Sequence, residues 1–210
     1  MSEPLNLEFG KNNNPRQLHE GHFTAFLGNY PKFSTYVAFY ENAVETLFKK
    51  VSQGNETADI VGLPLLFLMR HTLELGYKYS LFRLCALNTT IFDPKNLKNG
   101  EGHSLVKLHK RLGVEYQTAI GNGSLPESDK ESFNEHYTLT ELSMKRFEAL
   151  DASSTKTRFP NTDESPVFAQ GTTVNLLELK NEFDEAMVLL TTMGDVIDQY
   201  DWSNYPEFNP

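Results

Sequence analysis

Apolar residues recur every three to four positions over most of the chain, the period of helices that bury one face. Phe33, Val37, Tyr40, Val44, Leu47 and Val51 form the first stripe, with Pro31 suited to a first helical turn and Gly54 to its end. This predicts a helix from about Pro31 to Ser52. A second helix, from about Glu56 to Asn88, is long and apolar, and Pro64 in its first third predicts a kink or a later start. After a loop marked by Asp93-Pro94 and Gly100-Glu101-Gly102, a third helix begins near His103 and turns Leu105, Leu108, Leu112 and Tyr116 inward. Gly121-Asn122-Gly123 closes it. Ser124 and Glu127 read as a capping box for a fourth helix that reaches about Leu150, with Phe133, Tyr137, Met144 and Phe147 on one side. Residues 152–173 carry Ser, Thr, Pro and Gly and read as a loop, with a short hairpin around Arg158-Phe159-Pro160 and Val167-Phe168. Asn175 and Glu178 cap the last helix, whose buried face is Leu176, Leu179, Phe183, Met187, Leu190, Ile197 and Tyr200.

These elements describe an all-α, single-domain bundle of about five helices. An irregular N-terminal arm (1–30) precedes the helical domain (31–200), a loop or hairpin insertion precedes the last helix, and a C-terminal tail (201–210) follows. A chain of 210 residues buries a core without disulfides or a structural metal. The formal net charge of −9 disfavours broad DNA coating but leaves a local basic pocket open. The single cysteine, Cys85, sits among Leu81, Phe82, Leu84 and Leu87 and reads as a buried small hydrophobe. The most apolar run, Ile60–Met69, is about half of what a bilayer requires and ends at Arg70, His71 and Glu74. With no leader pattern either, the sequence points to a cytoplasmic protein without a membrane partner. His19 and His22 lack a third ligand, and no phosphate-loop, dinucleotide or zinc-protease motif occurs, so neither a cofactor nor a metal is expected. His109 and His136 read as exposed helix residues.

The chemistry concentrates in Arg70-His71-Thr72-Leu73-Glu74-Leu75-Gly76-Tyr77-Lys78. On a helix, His71, Glu74 and Lys78 share one stripe with Phe67 and with Phe82 or Cys85, so they interrupt a row that should face the core. Buried charges are costly unless paired, so these side chains either satisfy one another or line a pocket. The plainer reading makes Glu74–Lys78 an ordinary surface pair and His71 a core histidine. His103 stands at a helix N-terminus, where the dipole favours the neutral imidazole. It serves there as acceptor or base, or simply as a cap or interhelical bond. Arg158, beside Phe159-Pro160, is either an anion clamp or a loop anchor held by a carboxylate such as Glu74.

Taken together, Leu66 to Lys78, Gly102-His103-Ser104-Leu105 and Arg158-Phe159-Pro160 resemble HEPN-type helical proteins, over about residues 35–200. That resemblance implies a prokaryotic or phage defence or toxin–antitoxin setting, a homodimer, a regulatory protein partner and, in many members, metal-independent ribonuclease activity. It further implies a site in which His acts as general acid/base and Arg steadies phosphate. The family's Arg-x(4–6)-His spacing is absent from the fourth and fifth helices; the one match, Arg16 to His22, lies in the arm. Two functions follow. In the first, the protein acts on or binds RNA or nucleotides, with His71, Glu74 and His103 as the catalytic set and Arg70, Lys78 and Arg158 holding phosphate. In the second, it is a non-catalytic interaction module whose polar cluster fixes helix register.

Overall fold

In a computed structural model the protein is all-helical, and the structure describes residues 32–93, 102–152, 156–158, 161 and 165–200. The N-terminal arm with Arg16, His19 and His22, the Phe159-Pro160 pair and the C-terminal tail lie outside the described residues. Among the described residues five α-helices follow in chain order: α1 (Phe33–Ser52), α2 (Ala58–Leu87), α3 (Leu105–Gly121), α4 (Lys130–Leu150) and α5 (Leu176–Tyr200). Helices α2, α3, α4 and α5 pack in a closed ring, each against the next, and α1 lies along α2.

Helix α2 is apolar nearly all round because it has neighbours on several sides. Leu65, Met69, Leu73, Tyr77, Leu81 and Leu84 are all inaccessible to solvent. Pro64 does not interrupt it. The proline sits on the exposed side, and the helical bond it cannot donate leaves the carbonyl of Ile60, itself exposed, to water. Two glycines allow close helix approach. A Cβ on Gly76 would stand 2.7 Å from Leu190 Cδ1 of α5, and one on Gly113 would stand 2.7 Å from the Tyr137 ring of α4. Leu105, Leu108, Leu112 and Tyr116 of α3 are buried as the periodicity requires, and so are Phe133, Met144 and Phe147 of α4. Cys85 is buried and free. The α1 stripe is shallower: only Val44 is fully buried.

The end of α2 is fastened to α3 by Asn88, whose amide donates to Glu115 O and Oε2, each at 3.0 Å. The start of α5 is capped as its sequence indicates. Asn175 Oδ1 accepts from Leu177 N at 3.0 Å and Glu178 N at 3.3 Å. Asn175→Ala should therefore cost about 1 kcal/mol, read as a lower urea midpoint at unchanged slope.

Four readings need correction. Ser124 and Glu127 form no capping box: Ser124 Oγ donates to Leu87 O across the bundle, and Glu127 pairs with Lys130 in a short 3-10 turn before α4. No strand occurs among the described residues, so Val167-Phe168 form bends and not a hairpin arm. Phe82 does not continue the core row but is 48% exposed. His109 is buried and His136 half-buried, because α4 packs over the side of α3 that carries His109 and the ring stacks on Tyr137.

Candidate functional site

The stripe on α2 is organised around one carboxylate. Glu74 is 4% exposed and takes three donors. Its Oε2 lies 3.2 Å from Arg70 Nη1, and its Oε1 lies 2.7 Å from Lys78 Nζ and 3.0 Å from His103 Nδ1. Arg70, Glu74 and Lys78 succeed one another at i, i+4 on one helix, so the alignment follows from helical geometry. His103 comes from the segment leading into α3. Burial alone would raise the Glu74 carboxyl, but the Lys78 hydrogen bond and the neighbouring cations outweigh it and hold the group below its ordinary value.

Arg70 is the deepest of the set, wholly inaccessible to solvent. Besides Glu74, its guanidinium donates to the carbonyl of His103 and to Ala152 O at 3.4 Å. One side chain of α2 thus ties together the entry to α3 and the exit from α4. In this position Arg70 presents no surface to a phosphate; it positions what surrounds it.

His103 is set from both directions. Its carbonyl accepts from Arg70, and its ring Nδ1 donates to Glu74 Oε1. The next residue, Ser104, caps α3 by accepting from Lys107 N at 3.2 Å and donates to Glu148 of α4 at 2.9 Å. The Glu148 carboxylate also accepts Val106 N at 2.8 Å, a negative charge at the positive end of α3. Helix α3 begins at Leu105, so His103 precedes the cap and its ring turns back to α2. That ring is 61% exposed. A hydrogen bond from Nδ1 to a carboxylate places the proton on Nδ1 in the neutral ring, which leaves Nε2 as the basic nitrogen.

His71 stands beside this group without joining its hydrogen bonds to Glu74. Its ring stacks on Phe67, centroids 5.5 Å apart, and meets Tyr40 of α1 edge-on at 4.7 Å. Burial holds its pKa below the ordinary histidine value; Glu74 opposes this, while Lys78, Arg158 and Arg70 add to it. Arg158 lies across Phe67, with Cζ 5.7 Å from the ring centroid. Its loop is held by Asp151, a fully buried carboxylate that accepts Lys156 N and Thr157 N at 3.1 Å and Thr157 Oγ1 at 2.7 Å.

The structure therefore gathers Arg70, His71, Glu74, Lys78, His103 and Arg158 into one neighbourhood. Sequence reasoning passed over Tyr40, Glu148, Asp151 and the depth of Arg70. Tyr40 and Glu148 act across long sequence separations that no local pattern records, whereas Asp151 holds backbone only five and six residues on, in a loop without a regular period. Among the described residues, surface clefts of about 270 to 510 Å³ lie elsewhere, and none of the six residues lines them. Among the described residues, no group of His, Cys, Asp and Glu has the arrangement of a metal site, and no helix is long and apolar enough to cross a membrane. Compared with protein-family models, curated proteins and solved structures, the chain matches none.

Proposed function

We propose that this protein is a HEPN-like defence or stress protein that acts on or binds RNA or nucleotides through the edge of α2 and the entry to α3. The observation that carries this reading is the Glu74–His103 pair. A buried carboxylate 3.0 Å from one imidazole nitrogen fixes the ring, and that ring is 61% exposed. This is the arrangement of an orienting acid and a proton-transferring base. Lys78 and Arg158 bring positive charge to the same edge, on a chain whose overall charge is −9. They suit a phosphate beside the imidazole. In ribose-directed cleavage His103 Nε2 would take the proton of the 2′-hydroxyl as its oxygen attacks the adjacent phosphorus; the bond from that phosphorus to the 5′-oxygen would break, leaving a 2′,3′-cyclic phosphate, and the departing 5′-oxygen would take a proton from water. Lys78 and Arg158 would hold the phosphate oxygens, and Arg70 would keep the two segments in register.

Incubation of purified protein with single-stranded RNA, in the presence of a chelator, tests this. Wild type should cleave, and His103→Gln, with unchanged melting, should lose on the order of a hundredfold in rate. Absence of cleavage and binding by folded wild type would end the reading.

A second reading has its own support. Arg70 is fully buried and joins three segments, which is what a register-fixing network in a non-catalytic interaction module requires. Wild type inert toward RNA, with Glu74 and Arg70 variants that only melt lower, would select it.

A further inference from the structure

Three aromatic rings beside this edge are not used by proton transfer. Tyr40, Phe67 and His71 are each half-buried, and neither Tyr40 nor Phe67 is among the hydrophobic residues packed on the core. They associate instead with one another. His71 lies nearly parallel to Phe67, 12° between planes, and at 82° to Tyr40. Arg158 covers Phe67 from a loop, and its side chain is exposed. Rings grouped at a surface forgo much of the gain of burial, and aromatic faces beside Arg are the parts from which single-strand stacking platforms are built. The neighbouring Lys78 and Arg158 act electrostatically on His71, so ring faces and phosphate-binding cations share one patch.

Resting on the RNA-directed reading above, we propose that Tyr40, Phe67, His71 and Arg158 form a base-stacking subsite, which makes the ligand single-stranded RNA with unpaired bases. An unpaired base lies against the accessible side of the Phe67, His71 and Tyr40 rings beside Arg158, and the flanking phosphates reach Lys78 and His103. A duplex keeps its base faces inside the stack and cannot use these rings, whereas splayed single strands use such platforms routinely. The low pKa of His71 agrees with its part here as a neutral ring.

The test compares two fluorescent oligomers of equal length at one salt concentration by anisotropy: a single-stranded adenosine RNA and an abasic phosphate backbone. Wild type should bind the RNA about tenfold more tightly. Phe67→Leu and Tyr40→Leu, each checked for native melting, should erase that preference and leave backbone binding in place. Lys78→Ala should weaken both oligomers. Equal binding of both oligomers by wild type overturns the subsite and leaves the phosphate reading standing. So does a full preference for the RNA retained in both folded aromatic variants. A base preference that Phe67→Leu removes, with no RNA cleavage by wild type, supports the subsite and ends the nuclease reading alone. Binding of neither oligomer overturns both.

Discussion

Replacing Glu74 by Ala should destabilise the protein by roughly 3–5 kcal/mol, the cost of leaving a buried charge without its partner. Arg70 has no solvent exposure, and Glu74 is the carboxylate that compensates it. Its other acceptors are backbone carbonyls, which stay in place but carry no net charge. For a chain of this size the loss corresponds to a Tm lower by on the order of 10 °C. Removing both charges is a different matter. Arg70→Met with Glu74→Leu substitutes apolar side chains of similar volume and should recover most of the loss, since buried pairs contribute little net stability over hydrophobic replacements. Lys78, at the edge, can turn its amine to water. Calorimetry of the single and double variants gives the coupling; a Glu74→Ala variant that melts with wild type would show that Arg70 has another compensating charge. Acid acts in the same direction as the mutation. The Glu74 carboxyl is held below its unfolded value, so its contribution is complete above the unfolded pKa and is lost as pH falls through the folded one.

The second large effect is a loss of stability in mild acid from His109. This ring is 1% exposed, stacks on Tyr137 at 4.0 Å and lies with Nδ1 2.9 Å from the Tyr77 hydroxyl. Burial pushes the Tyr77 hydroxyl well above its ordinary pKa, so it stays protonated and is able to donate to Nδ1. Nδ1 accepts that bond when the ring is neutral with its proton on Nε2, and burial of the ring favours the neutral form. Burial lowers the imidazole from 6.5 to about 4, with Glu141 opposing in part. The folded state thus binds fewer protons than the unfolded chain between those values. The stabilisation is fully present above pH 6.5, declines as pH falls from there and levels off below about 4. Its size is about 3 kcal/mol, from the shift at about 1.4 kcal/mol per unit. Urea denaturation across that range, compared with His109→Asn, isolates it. Asn keeps an acceptor toward Tyr77 and does not titrate, so its stability should be lower near neutrality and flatter in acid. Parallel curves for the two proteins would assign the acid loss to other groups.

What could be read from the chain was what repeats locally. The inward rows of α3 and α5 and the Asn175 cap are set within a turn or two of helix. The misreadings arise where a partner comes from far away in sequence. Ser124 looks like a cap until the carbonyl of Leu87 takes its hydroxyl. His109 sits beside the inward row of α3, and only the packing of Tyr137 encloses it. Helix α2 is apolar on nearly every side, so its period does not say which residues lie deepest. Phe82 emerges at the surface, whereas Arg70 is wholly enclosed. The stripe of His71, Glu74 and Lys78 was visible because charge in an apolar helix stands out. That His103 completes it and Arg70 anchors it depends on the approach of two loops, one 33 residues and one 82 residues along the chain from Arg70.

The most direct measurement is the RNA cleavage rate of the Arg70→Met/Glu74→Leu double variant, taken at a temperature where its fold and that of wild type are equally intact. The bundle then remains and the carboxylate that orients His103 does not. The account predicts a folded protein whose cleavage falls toward that of His103→Gln. A folded double variant that cleaves RNA as fast as wild type would contradict it, because the Glu74–His103 pair would then have no part in the chemistry.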